Sequence, residues 1–463
     1  MTPAQPGLPR RIGRAAWLGL RGLFDFCLLA WRRRFLRGER LRRYQQRQAR
    51  RLVRYAVEHS PFYRDLYSGR SLDDLAGLPT VDKQIMMDRF SDFNTAGLDK
   101  EELIEFALAM EHSRDFLHYF RERYVVGLSS GTSGSKGLVL TERSLAERLP
   151  AVFLARSGVP LRLLPFRIVF ILRVHNQAFA NIDSPLITLR YLHSMTPVER
   201  IVDEINGLRA NLLLAPPSVL RLIGAQADRI REPLKLLMCY AEVLGDDDDA
   251  AIRQAFGAPL IQLYQASEGL IGSSCSAGRL HVNEDLVLLE ALDEHGQPAP
   301  PGTPCHKLLV TNLYNRLQPL IRYQLNDLLV LGQGCPCGSG FRVIERVLGR
   351  SDDLFWLERS DGSGHQYLFP DITARYVMNA CELVREYQVE QTAYDRVVVR
   401  LVTLPGRFAE AAPLVEQSLR RLLDEYGCRQ PAIEVVEQPP QLNPHSQKLR
   451  RIARSFAHPD SPK

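Results

Sequence analysis

The chain has 463 residues, of which 45% are hydrophobic and 24% are charged, a balance that predicts a globular protein with a sizeable core in two or three domains. Eight cysteines at this length do not make a disulfide framework, and the sequence shows neither an evident signal peptide nor a run of eighteen uncharged apolar residues. We therefore expect a cytoplasmic protein without a membrane-spanning helix.

Charge is distributed unevenly along the chain. Fifteen Arg against two acids, Asp25 and Glu39, give residues 1–54 a net charge of +13, which leaves −7 for the remainder because the total is +6. A protein that coats nucleic acid would be basic over much more of its length. The composition therefore argues against nucleic acid as a partner.

The basic N-terminal leader, residues 1–40, contains an amphipathic segment. Trp17, Leu20, Phe24 and Leu28 share one face of a predicted helix, and Arg residues stand at both ends of the segment. This pattern is typical of a helix that lies in a membrane interface. We expect membrane-surface contact through residues 15–37, at the inner face of the membrane; a helix packed on its own domain or a poorly ordered leader is the alternative.

A loop rich in glycine and hydroxyl residues lies between two short apolar runs within residues 124–141. Glycine lets backbone N–H groups approach an anion, hydroxyl groups add donors, and a lysine adds positive charge. The residues of this kind are Ser129, Ser130, Gly131, Thr132, Ser133, Gly134, Lys136 and Gly137. Because Gly137 rather than Ser or Thr follows Lys136, the loop is not a Walker A motif. It predicts phosphate binding, with a flexible connector as the alternative.

Residues 129–137 resemble the phosphate loop of the adenylate-forming superfamily, which includes acyl-CoA synthetases, peptide-synthetase adenylation domains and luciferases. Segments at residues 60–63 and 319–323 resemble one branch of it, the phenylacetate-CoA ligases and deazaflavin-coenzyme adenylyl synthetases. The resemblance extends from about residue 42 to about residue 451.

The order of predicted elements favours an α/β fold. Strand-like and helical segments alternate between residues 186 and 222, and this alternation is typical of a mostly parallel sheet flanked by helices. A further strand is predicted at residues 167–173, and two strand-to-loop segments are predicted at residues 236–244 and 260–268. We expect these elements to belong to a large ATP- and acyl-binding domain over residues 41–350.

The C-terminal part of the sequence predicts a second, smaller domain. Strands at residues 394–402 and 432–436 flank a helix at 411–426, which indicates an α+β unit. The resemblance implies that residues 351–463 form a mobile lid domain. It also implies that Asp352 is the hinge and that Lys448 is a catalytic lysine delivered by the lid.

The resemblance assigns nucleotide-binding roles residue by residue. It implies that Tyr264 stacks on adenine, that Ser267 touches phosphate and that Glu268 holds Mg²⁺. These roles suit the residue types, because an aromatic ring offers an apolar face to a base and a carboxylate is the usual ligand of Mg²⁺. Ala241 and Glu242 would line the adenine site.

Two further residues would contact the ribose. The resemblance implies that Asp327 accepts both ribose hydroxyls and that Arg350 contacts ribose or phosphate. Residues His175 and Asn176 follow a predicted strand at a position that resembles a wall of the acyl pocket. They are candidates for substrate contact, although a polar loop role is the alternative.

The spacing of three cysteines and a histidine predicts a metal site from the residues alone. Cys275 and His281 lie six positions apart, and Cys335 and Cys337 flank a proline that turns the chain. Three thiolates and an imidazole suffice for one tetrahedral Zn²⁺, with Cys305 as the leading substitute ligand. A site closed by four protein ligands leaves no position for water, so the predicted zinc is structural.

These features together predict an ATP-dependent ligase. A carboxylic acid, aromatic or otherwise organic, would be adenylated with Mg²⁺ and then transferred to the thiol of CoA or of the phosphopantetheine of an acyl carrier protein. The catalytic groups would be Lys136, Glu268 and Lys448. An adenylyltransferase that moves AMP to a hydroxyl, and a non-catalytic nucleotide-binding protein at the membrane, are the alternatives.

Overall fold

The structure is a computed structural model that describes residues 8–113, 118–128, 137–172, 186–193, 196–350, 353–442 and 449–456. Among these residues, no helix combines the length and the apolar character needed to cross a bilayer.

The helices flank the sheets and form most of the N-terminal segment. They are α1 (Leu8–Phe35), α2 (Gly38–His59), α3 (Pro61–Leu66), α4 (Lys83–Asp88), α5 (Phe90–Phe93), α6 (Lys100–Ser113), α7 (Arg143–Ala146), α8 (Leu149–Ser157), α9 (Val198–Leu208), α10 (Pro217–Gly224), α11 (Asp246–Phe256), α12 (Pro370–Met378) and α13 (Phe408–Glu425).

Within the described part of the chain, the strands are short and are distributed over five sheets. They are β1 (Tyr124–Leu128), β2 (Leu138–Glu142), β3 (Phe166–Leu172), β4 (Ile187–His193), β5 (Leu212–Leu214), β6 (Leu236–Cys239), β7 (Leu260–Ala266), β8 (Gly269–Ser274), β9 (Leu280–Val282), β10 (Val287–Leu292), β11 (Lys307–Asn312), β12 (Tyr323–Leu325), β13 (Asp327–Gly332), β14 (Val343–Arg350), β15 (Phe355–Glu358), β16 (His365–Leu368), β17 (Val384–Ala393), β18 (Arg396–Thr403), β19 (Ala432–Glu437) and β20 (Ile452–Arg454).

A nine-stranded sheet organises the large part of the chain, in the order β13-β14-β9-β8-β7-β6-β5-β3-β4. The pairs from β7 to β4 are parallel, and α9, α10 and α11 return the chain from β4 to β5, from β5 to β6 and from β6 to β7. The pairs from β7 to β13 are antiparallel. The predicted α/β fold is confirmed, and its parallel pairing is concentrated in one half of this sheet.

The C-terminal part has a core of its own. Strands β19, β18, β17 and β20 form a four-stranded sheet that packs with α12 and α13, and the buried side chains run from Phe355 to Ile452. The strands and helix predicted for this part of the sequence are therefore present. The domain boundaries at residues 40 and 350 stay predictions.

Helix α1 is fixed to the large part of the chain rather than set apart from it. Leu29 is buried in the main core, and the buried Asp25 accepts hydrogen bonds from the Arg148 guanidinium at 2.8 and 2.6 Å. Arg33 donates to the backbone carbonyls of Arg156 and Ser274, at 3.2 and 3.0 Å. The C-terminal half of α1 is thus part of the folded body.

A fully buried ion pair lies beneath α1. The Arg156 guanidinium donates to both carboxylate oxygens of Asp285 at 2.6 and 2.5 Å, and neither side chain is exposed to solvent. Arg156 also donates to the carbonyl of Leu29 in α1 at 3.1 Å. The pair therefore connects α8, α1 and the segment between β9 and β10.

We expect Asp285→Asn to lower the free energy of unfolding by about 3–5 kcal/mol, because it leaves the buried Arg156 charge uncompensated while keeping the size of the side chain. Urea denaturation followed by circular dichroism measures the change. The exposed pair Arg396–Glu434 offers a control, for which Glu434→Gln should cost at most about 1 kcal/mol. Equal losses in the two variants would contradict this prediction.

Candidate active site

A cavity of about 1230 Å³ lies at the carboxyl ends of the parallel strands β3, β6 and β7. This edge of an open α/β sheet is where ligands commonly bind, because several strands deliver loop residues to the same place. The cavity is lined by Ala241, Glu242, Tyr264, Ser267, Glu268, Asp327 and Arg350. The structure thus brings together seven residues for which the sequence predicted nucleotide or metal contacts.

The strands that flank the predicted phosphate loop line the same cavity. These strands, β1 and β2, pair antiparallel with Leu128 opposite Leu138, and Gly127, Leu128, Gly137 and Leu138 line the cavity. The remaining predicted positions lie outside the described residues. These are Ser129, Ser130, Gly131, Thr132, Ser133, Gly134, Lys136, His175, Asn176, Asp352 and Lys448.

A hydroxyl, a carboxylate and a guanidinium meet on one wall. Tyr264 donates from its Oη to Asp327 Oδ2 at 2.5 Å, and Arg350 Nε lies 3.6 Å from Asp327 Oδ1. The sheet register sets this geometry, because β13 and β14 pair with Asp327 opposite Arg350. Burial, together with the Asp327 carboxylate, holds the pKa of Tyr264 well above its usual value, so the phenol keeps its proton and donates it.

Glu268 occupies the tight turn between β7 and β8. Its backbone carbonyl accepts a hydrogen bond from Asn312 Nδ2 at 2.7 Å. Burial raises the pKa of the Glu268 carboxyl, and Arg350 and Lys83 oppose that rise. The following Gly269 has φ of +146°, and a Cβ there would lie 3.0 Å from the Tyr314 hydroxyl and 3.1 Å from the Asn312 amide. Glycine therefore allows the close contact that fixes Glu268.

The carboxylate of Glu242 is hydrogen-bonded to Ser218 within the fold. It accepts from the Ser218 hydroxyl at 2.9 Å and from the Ser218 backbone N–H at 3.1 Å, in the first turn of α10. The preceding Ala241 has φ of +68°, a left-handed conformation that is uncommon for a residue with a side chain. Both residues line the cavity, so this turn forms part of its boundary.

The four predicted metal ligands converge. The ligand atoms of Cys275, His281, Cys335 and Cys337 all lie within 4.8 Å of one another. Cys275 Sγ is 3.6 Å from Cys335 Sγ, close to the roughly 3.8 Å expected between two thiolates on one tetrahedral Zn²⁺. Cys337 Sγ is 3.6 Å from His281 Nε2.

One neighbour of this cluster supports metal binding. His281 Nδ1 lies 2.9 Å from the Phe341 carbonyl, and a proton shared there leaves Nε2 free to coordinate. The substitute ligand Cys305 is elsewhere, with its sulfur accepting from the Leu329 backbone N–H at 3.2 Å. The donor set suits Zn²⁺, and the β8–β9 hairpin that carries Cys275 and His281 also lines the cavity.

The structure adds a contact that the sequence did not predict. The buried Asp248 accepts from Arg221 at 2.8 Å and from Arg451 at 2.6 Å, and the Arg451 guanidinium lies 5.7 Å from the Tyr387 ring centre. Arg450 pairs with Asp353. In the sequence, Asp248 is one of four consecutive acids and Arg451 belongs to a basic tail, so both resemble solvated surface charges. In the structure Asp248 is buried against Arg451, which the sequence does not reveal, and this ion pair connects α11 to the C-terminal sheet.

We expect Asp248→Asn to loosen the attachment of the C-terminal sheet, because the amide accepts more weakly from Arg451 than the carboxylate does. Amide hydrogen exchange in β20 should become about tenfold faster, as expected for a loss of about 1.4 kcal/mol. The adjacent Asp249→Asn is the matched control, since Asp249 pairs with Arg253 in its own helix. A similar acceleration in both variants would argue against the link.

No protein-family model matches the chain. It is 26% identical to the phenylacetate-coenzyme A ligase of Thermus thermophilus, in an alignment that covers 89% of this chain and 96% of that one. Among solved structures it matches a 2-hydroxyisobutyryl-CoA ligase in the postadenylation state, in complex with 2-HIB-AMP, with a TM-score of 0.70 and 18% identity over 92% of this chain and 91% of that chain.

The same ligase in the thioesterification state, in complex with 2-HIB-AMP and CoA, matches with a TM-score of 0.55 and 18% identity over 91% of both chains. At this level of identity, the structural matches speak for the fold alone. The sequence match over most of the chain supports a place in the adenylate-forming superfamily, and the structural matches support the fold.

Proposed function

We propose that this protein activates a carboxylic acid with ATP and transfers the acyl group to the thiol of coenzyme A. The observation that carries the proposal is the meeting of Tyr264, Asp327, Arg350 and Glu268 in one cavity of about 1230 Å³. The likeness to a phenylacetate-coenzyme A ligase over almost its whole length supports the same reaction.

The polar wall of the cavity suits a nucleotide. The Asp327 carboxylate, oriented by Tyr264 and Arg350, would accept hydrogen bonds from the two ribose hydroxyls. The base would lie against the turn at Ala241 and the ring of Tyr264. Arg350 and Lys83, on the same cavity, would offset phosphate charge together with the loop at residues 129–136.

Glu268 is the proposed Mg²⁺ ligand. Its carboxyl is largely desolvated, which raises its pKa, and a divalent cation would stabilise the ionised form. Bound Mg²⁺ would withdraw charge from phosphate oxygens. Ser267, beside Glu268 in the same turn, would donate to phosphate. This turn is therefore proposed to hold the phosphate end of the nucleotide.

The opposite wall of the cavity suits the body of an organic acid. Leu149, Val152, Phe153, Phe170, Leu172 and Tyr240 contribute apolar surface there. Tyr240 lies buried, and its hydroxyl donates to the carbonyl of Ile171. An aromatic or other apolar acid would bury its body against these side chains. His175 and Asn176, which follow β3 in the sequence, stay candidates for contact with the acid.

The reaction proceeds in two displacements. A carboxylate oxygen of the acid attacks the α-phosphorus of ATP in line, and pyrophosphate leaves. The thiolate of CoA then attacks the carbonyl carbon of the acyl-adenylate, and AMP leaves. Lys448 and Lys136 are proposed to stabilise charge in the first step, with Asp352 as the hinge of a C-terminal lid between the steps.

The thiol acceptor is proposed to be CoA, because the solved neighbours with this fold include a ligase in complex with CoA. The phosphopantetheine of an acyl carrier protein offers the same thiol and would be distinguished by assaying both acceptors. The protein is proposed to act in the cytoplasm.

We further propose that Cys275, His281, Cys335 and Cys337 hold a structural Zn²⁺. Four protein ligands close the coordination shell, so the ion would stabilise the β8–β9 hairpin and the turn at residues 335–341 rather than bind substrate.

We expect ATP–pyrophosphate exchange with at least one acid from a panel of aromatic and aliphatic acids. Asp327→Asn should raise the KM for ATP by about 10- to 100-fold, because hydrogen bonds to a charged group are worth about 1.5–3 kcal/mol. Asp293→Asn, in an exposed turn remote from the cavity lining, is the control. Absence of exchange with every acid, combined with formation of a stable AMP ester, would favour a hydroxyl acceptor instead.

Purified protein should contain about one zinc per chain, measured by mass spectrometry of metals. Removal of the metal by a chelator, or Cys337→Ser, should lower the denaturation midpoint by roughly 5 °C because the coordinated turn loses its cross-link. Cys381→Ser tests the loss of a thiol outside the cluster. Equal zinc content in wild type and Cys337→Ser would contradict the assignment.

A further inference from the structure

Helix α1 has an inner face that is held by the body of the protein. Asp25, Leu29 and Arg33 recur at intervals of four residues and so share one side of the helix. Asp25 pairs with Arg148, Leu29 is buried in the main core, and Arg33 donates to two backbone carbonyls. The rotation of α1 about its own axis is therefore fixed.

The outer face of α1 exposes large apolar side chains. Leu20, Leu23, Phe24, Trp31 and Phe35 have between 52% and 69% of their surface exposed, and the Trp31 and Phe35 rings lie 5.7 Å apart. We call these five residues the outer stripe. A stripe of this size on one helix is far more than scattered surface hydrophobics, and it indicates a binding surface.

The stripe differs in part from the face predicted from the sequence. Leu20 and Phe24 are exposed as expected, but Leu28 is half-buried because it stands beside Leu29 at the margin of the inner face. The side chain of Trp17 is not among those that the structure describes. The exposed apolar surface continues instead through Trp31 and Phe35.

The charges around the stripe are of one sign. Residues 1–38 contain eight Arg, and their single acid, Asp25, is buried against Arg148. Arg34 and Arg37, at the C-terminal end of α1, are exposed. Two copies of this helix brought face to face would repel one another, whereas an anionic surface would attract it.

We propose that the outer stripe of α1 binds the surface of a bilayer that contains anionic phospholipid. The helix would lie along the interface, with its apolar side chains among the upper acyl chains and its Arg side chains at the phosphates. Trp31 suits this position, because its ring is apolar and its N–H can reach the headgroups. This inference does not depend on the proposed ligase reaction.

Because the inner face is fixed to the body, binding would hold the whole protein in one orientation on the membrane. Both components of the attraction are needed. The apolar stripe alone offers no preference for anionic lipid, and the Arg side chains alone would give weak binding that salt removes.

The test is flotation of the full-length protein with vesicles of phosphatidylcholine and phosphatidylglycerol at 7:3, and with phosphatidylcholine alone. We expect at least tenfold tighter binding to the anionic vesicles, and a blue shift of tryptophan emission that Trp31→Phe reduces, since Trp17 and Trp356 remain. The double variant Phe24→Glu and Trp31→Glu should bind at least tenfold more weakly. Leu414→Glu, an exposed apolar position on α13, should bind like wild type.

Equal thermal midpoints of the variants, measured without vesicles, establish that all of them fold. Absence of wild-type binding to anionic vesicles would overturn the proposal, as would wild-type affinity in the double variant. A dimer in sedimentation that the double variant abolishes, without vesicle binding, would assign the stripe to a second copy and also overturn it. Pyrophosphate exchange, assayed without vesicles, reports separately on the proposed reaction.

Discussion

The buried ion pair between Arg156 and Asp285 is the constraint to which the surrounding elements conform. A guanidinium removed from water must have partners on most of its donors, and here they come from Asp285 and the carbonyl of Leu29. Helix α8, helix α1 and the turn before β10 therefore have to meet at one point.

The same turn carries several other buried polar groups. Asn283 bonds to Ser273 and to the carbonyl of Leu270, and Glu284 accepts from the Arg342 side chain and backbone. His281, two residues earlier, faces the cysteines. Residues 281–285 thus form a dense internal connection in which His281, Asn283, Glu284 and Asp285 each contact a different neighbour.

The sequence predicted the parts of the site that depend on local pattern. The four metal ligands were predicted from their spacing and turn residues, whereas the roles of Tyr264 and Glu268 were predicted from the family resemblance. Asp248 and Arg451 were not predicted, because 203 positions separate them and their pairing depends on where two sheets meet. Glu242 shows a third case, since its acceptor role toward Ser218 depends on the placement of α10 rather than on its own motif.

The Asp248 carboxylate is shared between Arg221 and Arg451, and this sharing affects how the C-terminal sheet can separate from the large part of the chain. A buried carboxylate that lost its only cationic partner would remain as an unpaired charge away from water. The free-energy cost of that unpaired charge would slow the separation of the C-terminal sheet from the large part of the chain. Asp248 keeps Arg221 when Arg451 leaves, so its charge stays neutralised throughout. The C-terminal sheet can therefore be held by a buried ionic contact and still be released without leaving an unpaired charge behind.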